Sequence, residues 1–235
     1  MTSFAFVFPG QGSQAVGMLD AWGDHPAIAA TLAEASAALG EDIAALIKNG
    51  PKEQLDLTTN TQPVMLTAGI ACYRAWMAET GLMPAAVAGH SLGEYTALVA
   101  SGALSLADAL PLVRLRAQAM QEAVPVGVGA MAAILGLDAG AVQAGCAEAA
   151  AACGEAVEAA NFNDPKQTVI SGTKAGVDKA CEVLKAKGAK RALPLAVSAP
   201  FHSSLMKPAA ERLKLRLAEV AVITPWLPVV NNIDV

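Results

Sequence analysis

Apolar and polar positions along this chain change period several times, and each change marks an element. Phe4 to Phe8 reads as a buried strand, closed by Pro9 and Gly10. Helical spacing then dominates residues 27–47 and 62–79. The stretch AAVAGHSLGEYTALVASG reads as a short buried strand, a tight turn from Gly89 to Gly93, and a helix. A second helix opens at SLAD, where Ser105 and Asp108, three residues apart, form a capping pair. Its apolar positions Leu106, Leu110, Val113, Ala117 and Met120 fall on one face.

Beyond Gly127 the pattern shortens. GAMAAILGL reads as a strand, 138–153 as an Ala-rich helix, VEAANFN and QTVISG as strands around NDPK, 175–188 as a helix, and RALPLAVS as a strand. The order β-α-β-β-α-β is the split pattern of a ferredoxin-like unit. The chain is therefore expected to be α/β: a body of residues 1–125 and 198–235, with a small α+β subdomain inserted over 126–197.

Composition narrows the class. The chain has 235 residues, 54% of hydrophobic types and only 16% charged, which suits a compact enzyme and excludes disorder. No basic segment precedes an apolar run at the N-terminus, and Gly, Pro or charge interrupts every apolar stretch short of spanning length. A soluble, cytoplasmic protein is expected, with no membrane association. Cys72, Cys146, Cys153 and Cys181 form no CxxC and have no His at ligand spacing, so no metal site is expected. All four read as reduced core residues, with Cys146 and Cys153 on one helix face. The net charge of −5 is unevenly spread. Lys166, Lys174, Lys179, Lys185, Lys187, Lys190 and Arg191 crowd one stretch that holds only Asp178 and Glu182 as acids. Aromatics at 4% and an acidic balance argue against nucleic acid as partner. The stretch reads either as a solvated helix face or as a docking patch for an acidic partner or phosphorylated ligand.

Two glycine-rich turns are the candidates for chemistry. FAFVFPGQGSQAVG spells Gly10-x-Gly12-x-x-Ala15, the outline of a dinucleotide-binding turn. That fold needs a second strand soon afterwards, ending in an acid that holds the ribose. Residues 27–47 read as helix instead, so the cofactor reading fails on context. Gly89-His90-Ser91-Leu92-Gly93 is a G-x-S-x-G between a strand and a helix, the setting of an α/β-hydrolase-like nucleophile elbow. Its glycines permit the cramped turn, and the amide of Leu92 is placed to stabilise an oxyanion. Of three histidines, His90 is too close in sequence to serve Ser91 and His25 precedes Pro26 in a polar turn. His202 in SAPFHS remains as base. Asp108, Asp138, Asp164 and Asp178 follow Ser91 and precede His202, but none sits at a strand end facing the site, and a backbone carbonyl is the other way to orient the ring.

Taken together, FPGQGSQ, GHSLGEYTAL, RLRAQAMQ, NFN and SAPFHSSLMKPA resemble the malonyl-CoA:acyl-carrier-protein transacylases, relatives of the acyltransferase domains of polyketide synthases. The match covers essentially the whole chain in the same motif order. The resemblance implies Ser91 as nucleophile, His202 as its base, and the amides of Gln11 and Leu92 as oxyanion hole. It implies that Arg116 binds the malonyl carboxylate, a choice that periodicity leaves open between Arg114 and Arg116. It also implies Phe201 as a selector against α-methyl groups and Asn161 as a binding residue. Acyl carrier protein and malonyl-CoA are the implied partners in fatty-acid synthesis, with no metal or redox cofactor, and a monomer is expected. A serine hydrolase such as a thioesterase is the alternative that shares the elbow. Family members continue for several tens of residues past VVNNIDV, with a Gln whose carbonyl orients the catalytic His, so a missing C-terminal part is expected.

Overall fold

The structure is a computed structural model and describes residues 3–233. From the N-terminus, β1 (Ala5–Phe8) precedes four helices, α1 (Pro26–Leu39), α2 (Ile43–Asn49), α3 (Lys52–Leu55) and α4 (Thr58–Thr80). Strand β2 (Ala86–Gly89) leads into α5 (Gly93–Ala100) and α6 (Leu106–Glu122). Next come β3 (Gly129–Leu135), α7 (Ala139–Cys153), β4 (Val157–Asp164), β5 (Gln167–Thr173), α8 (Lys174–Ala186) and β6 (Arg191–Pro194). Helix α9 (Lys207–Leu217) and strand β7 (Val229–Val230) follow. The chain divides into two compact units, one running to Gln118 and resuming at Leu215, the other Ala119–Lys214.

The first unit is built on the parallel sheet β1-β2-β7, in which Phe8 pairs with Gly89 and Ala88 with Val230. Strand β1 turns its aromatics one way. Phe6 meets the rings of Tyr73 and Trp76 edge-on at 5.5 and 5.6 Å, and Phe8 meets Tyr73 at 6.2 Å, which fastens α4 to the sheet. Leu66, Ile70, Val87, Leu110 and Val113 fill the core behind them. The stripe Leu106, Leu110, Val113, Ala117 and Met120 is buried along its whole length, and Ser105 caps α6 by accepting from the Asp108 amide at 3.0 Å. Residues 27–47 are two helices where one was expected. Gly40 takes a left-handed φ of 65° and ends α1, and the Asp42 carboxylate restarts the chain by accepting from the Ala45 amide.

The second unit carries the antiparallel sheet β4-β5-β3-β6. This strand order, with α7 and α8 as the two crossovers, is the ferredoxin-like arrangement. One face packs on the helices: Ile134 and Ile170 lie against Val142, Cys146, Val177 and Leu184. The other face, Met131, Ala133 and Val169, is covered by Met120, Val124, Phe201 and Met206. That second layer is why this unit extends past 126–197 at both ends. Strand β6 is shorter than the expected RALPLAVS, since Pro194 offers no amide to a ladder and only the Leu195 amide still reaches Met131 O beyond it. Cys153, expected in the core beside Cys146, is exposed because it is the last residue of α7, past the packed turns. Among the described residues no helix is long and apolar enough to cross a membrane.

Candidate active site

The turn between β2 and α5 is cramped by backbone alone. A Cβ on Gly89 would lie 1.9 Å from the carbonyl carbon of Gly93, and one on Gly93 would lie 2.2 Å from Phe8 O. Only hydrogen fits at either place, so strand and helix close against each other and against β1. Between the glycines Ser91 is forced to φ 51°, a left-handed value that costs a side-chain-bearing residue about 1–3 kcal/mol. The buried Leu92 side chain anchors the turn from beneath. The amides of Gly93, Glu94 and Tyr95 donate to the carbonyls of His90, Ser91 and Leu92. The Ser91 amide donates to Asn232 Oδ1 at 2.9 Å. The Leu92 amide has no such partner among the described residues, as an oxyanion donor requires.

The glycine-rich turn after β1 lies against this elbow, since a Cβ on Gly10 would fall 2.7 Å from His90 O. Gln11 Nε2 donates to Thr58 Oγ1 at 3.1 Å. Gln14 Oε1 accepts from the Gly12 amide at 2.8 Å, while its Nε2 donates to Asp56 Oδ1 at 2.9 Å. The Asp56 carboxyl is held below its ordinary range by hydrogen bonds from Lys52 and Gln14. These bonds fix a turn that opens no helix, since α1 begins only at Pro26. A pyrophosphate therefore has no helix terminus here to bind, which is the physical reason the dinucleotide outline misleads.

Helix α6 presents two arginines with different surroundings. Arg114 donates to Asn60 Oδ1 at 2.8 Å and pairs with Glu41. Arg116 donates through Nη1 to Gln62 Oε1 at 2.8 Å and through Nη2 to Ser91 Oγ at 3.1 Å, and lies 5.6 Å from the centre of the Tyr95 ring. Arg74, Arg114, Arg212 and Arg216 each pair with a glutamate. Arg116, half-buried, has no carboxylate partner among the described residues. Burial pushes its pKa down, against the opposing pull of Tyr95 and Glu94, yet an arginine keeps its charge at neutral pH. The same surroundings push the Tyr95 hydroxyl up, chiefly through burial.

Gln11, Ser91, Leu92 and Arg116 are thus placed in the first unit, and His202, Phe201 and Asn161 in the second. His202 has φ 62°, the only described side-chain-bearing residue besides Ser91 with a positive φ. Its loop is pinned by Ser203 Oγ donating to Pro200 O at 2.8 Å and by the Ser204 amide donating to Glu158 Oε2 at 3.0 Å. Phe201 is buried at 8% exposure in the sheet's second layer. Asn161 sits on β4 at a register shift after Ala159. The four aspartates between Ser91 and His202 have other employment. Asp108 and Asp138 stand at the starts of α6 and α7, Asp164 accepts from the Lys166 amide, and Asp178 pairs with Lys174. His25 caps α1, its Nδ1 accepting from the Ala27 amide and its Nε2 facing Glu79 at 3.0 Å.

Sequence reasoning missed two residues of this site. Gln62, 2% exposed, is a buried amide among the buried threonines Thr58 and Thr61 at the start of α4, and nothing in its local pattern sets it apart. Asn232 was findable only from strand register: β7 pairs with β2 so that continuing two residues past Val230 brings the chain level with His90. Among the described residues no group of three or more His, Cys, Asp or Glu could hold a metal ion.

The chain matches the acyl transferase domain family over residues 5–234. It is 56% identical over 236 residues to the malonyl CoA-acyl carrier protein transacylase of Escherichia coli strain K12, covering 100% of this chain and 76% of that protein. The crystal structure of an acyl-carrier-protein S-malonyltransferase from Burkholderia pseudomallei 1710b is 67% identical, with a TM-score of 0.96 over 99% of this chain and 75% of that one. A chain in the structure of a type II PKS acyl-carrier protein in complex with its malonyl-transacylase is 50% identical, with a TM-score of 0.96 over 100% of this chain and 75% of that one.

Replacing Gly93 by Ala tests the cramped turn. The added methyl should lower unfolding free energy by about 1–3 kcal/mol and slow labelling of Ser91 by a fluorophosphonate. Denaturant unfolding and labelling rates unchanged from the parent protein would mean that the close approach is not required.

Proposed function

We infer the reaction from one premise: the chain belongs to the acyl transferase domain family and, within it, to the malonyl CoA-acyl carrier protein transacylases. It is an acyltransferase, and membership supports malonyl transfer, not the thioesterase alternative. The reaction is transfer of malonyl from malonyl-CoA to the phosphopantetheine thiol of an acyl carrier protein, in fatty-acid or polyketide synthesis. His202 takes the proton of Ser91 Oγ as that oxygen attacks the thioester carbonyl. The amides of Leu92 and Gln11 receive the oxyanion. The C–S bond breaks, CoA leaves as a thiol with the proton from His202, and malonyl-serine remains. The carrier thiol then gives its proton to His202 and attacks the same carbonyl. Ser91 Oγ departs and is reprotonated. No step calls on a metal or redox group.

The observation that carries this reading is the half-buried guanidinium of Arg116, 3.1 Å from Ser91 Oγ and without a carboxylate partner among the described residues. In a malonyl ester the free carboxylate carbon is two bonds beyond the carbonyl carbon. A cation that recognises malonyl must therefore stand within a few ångströms of the nucleophile, as Arg116 does. An uncompensated buried charge penalises a neutral acyl group and favours an acid-bearing one. A planar fork suits a carboxylate better than an ammonium does. Gln62 holds the fork in place from its other side. Phe201 is the selector against α-branching, and Asn161 contributes to substrate binding.

The carrier's docking face is proposed at one end of the antiparallel sheet. Leu135 of β3 pairs with both Gln167 and Arg191, which gathers Lys166, Lys190 and Arg191 at that end, all exposed. Lys174, Lys179 and Lys187 are engaged with Asp178, Glu182 and Glu148. Lys166, Lys190 and Arg191 have no ion-pair partner among the described residues, so their field is the one an acidic carrier would meet.

Intact-protein mass after brief mixing with malonyl-CoA tests the chemistry. A malonyl adduct should form, vanish in Ser91→Ala, and form at least about thirtyfold more slowly in Arg116→Ala, the equivalent of a lost charge-assisted contact. Steady release of CoA without adduct would indicate hydrolysis and overturn the reading. For the docking face, Lys166→Glu with Lys190→Glu and Arg191→Glu should raise the KM for the carrier by about tenfold while leaving malonyl-serine formation unchanged. An unchanged KM for the carrier would place docking elsewhere.

A further inference from the structure

The elbow is held from outside by one residue that neither its motif nor its own helix contains. Asn232, just past β7, contacts both flanks of the strained nucleophile. Its Oδ1 accepts from the Ser91 amide at 2.9 Å, and its Nδ2 donates to Gly89 O at 2.7 Å. The same Nδ2 donates to Glu94 Oε2 at 2.5 Å, and the Asn232 backbone amide donates to that carboxylate oxygen at 3.1 Å. The amide orientation follows from its partners, since an N–H needs an acceptor while a carbonyl and a carboxylate need donors. One carboxamide therefore joins the end of β2, the backbone of Ser91 and the first turn of α5.

We propose that Asn232 is a positioning residue for acyl transfer at Ser91, holding the left-handed turn so that Oγ stands ready and the Leu92 amide is left for the oxyanion. The proposal rests on the reading of Ser91 as nucleophile. The bonds hold the two peptide units that precede Ser91, and its φ of 51° is the rotation of the second of these about the Ser91 N–Cα bond. Without them the turn has a route to an unstrained φ, and Oγ leaves its place 3.1 Å from Arg116. Asn232 also takes up the Ser91 amide, which would otherwise compete with that of Leu92 for the oxyanion. Glu94 fixes Asn232 in turn, through two hydrogen bonds to one carboxylate oxygen. Serine at this position would be too short to reach both flanks. Aspartate would keep the acceptor for Ser91 but set a second carboxylate against Glu94 and the Gly89 carbonyl.

The test is single-turnover acylation of the full chain by malonyl-CoA, read as a rate constant so that the folded fraction does not enter. The parallel readout is the rate of fluorophosphonate labelling. Asn232→Ala should lower both rate constants by on the order of tenfold to a hundredfold, as a misplaced reacting group does. The half-saturating malonyl-CoA concentration should stay within about twofold, since Arg116 and Gln62 remain. Asn232→Asp should also be slow, and adding Glu94→Gln should recover several-fold of its rate, because the second carboxylate then meets a donor. Rate constants in Asn232→Ala equal to the parent's overturn the proposal, as does equal slowness of Asn232→Asp with and without Glu94→Gln. A parent protein that takes up neither malonyl nor phosphonate at Ser91 overturns the nucleophile assignment itself, a result that separates the two failures.

Discussion

The close approach of three backbone segments around Gly89 and Gly93 governs the candidate site. Strand β1, the end of β2 and the start of α5 meet where a single added methyl would overlap a carbonyl, at 2.2 Å for Gly93 and Phe8. The site residues of the first unit are set relative to that contact. It holds Ser91 above the carboxyl end of the parallel sheet, where open α/β sheets place their ligands. It also leaves the Leu92 amide at the mouth of a helix and brings the Gln11 turn alongside through Gly10. The strain at Ser91 is sustained because the aromatic packing of β1 on α4 and the buried stripe of α6 make the surrounding body stiff.

On that frame, the proposed specificity reduces to one charge. Four arginines of this chain pair with glutamates, three of them well exposed and Arg114 largely covered. Arg116 is drawn inward, shifted by desolvation, and held by neutral partners, Gln62 and Ser91, with a ring beside it. A cation so placed is an incomplete ion pair, and its complement is an acyl group that carries its own carboxylate. In the proposed reaction, proximity to Ser91 Oγ turns that complement into orientation, because a bound carboxylate would leave the carbonyl little freedom to be anywhere but beside the proposed nucleophile.

Much of this was legible in the chain. The G-x-S-x-G between strand and helix, the stripe on α6 and the split β-α-β-β-α-β order depend on local spacing, which a sequence displays directly. Local chemistry was misjudged where one residue outweighed the periodicity, as when Gly40 and Asp42 cut one expected helix into two. Pro194 cut a strand short, and the end of α7 carried Cys153 out of the core. Long-range chemistry was out of reach in a different way. Arg114 and Arg116 look alike on paper, and what separates them is Glu41 and Asn60 against Gln62 and Ser91, partners brought by α4 and by the turns before α2 and α5. Asn232 lies 141 residues from the serine whose amide it accepts, and only the pairing of β7 with β2 brings it there.

The most direct test of the central claim is a crystal structure of the protein trapped as its malonyl ester. The account predicts the acyl carbon on Ser91 Oγ, its carbonyl oxygen at the Leu92 amide, and the free carboxylate held in bidentate fashion by Arg116. A malonyl carboxylate turned to solvent or resting on Arg114, with Arg116 still bonded only to Gln62 and Ser91, would contradict it.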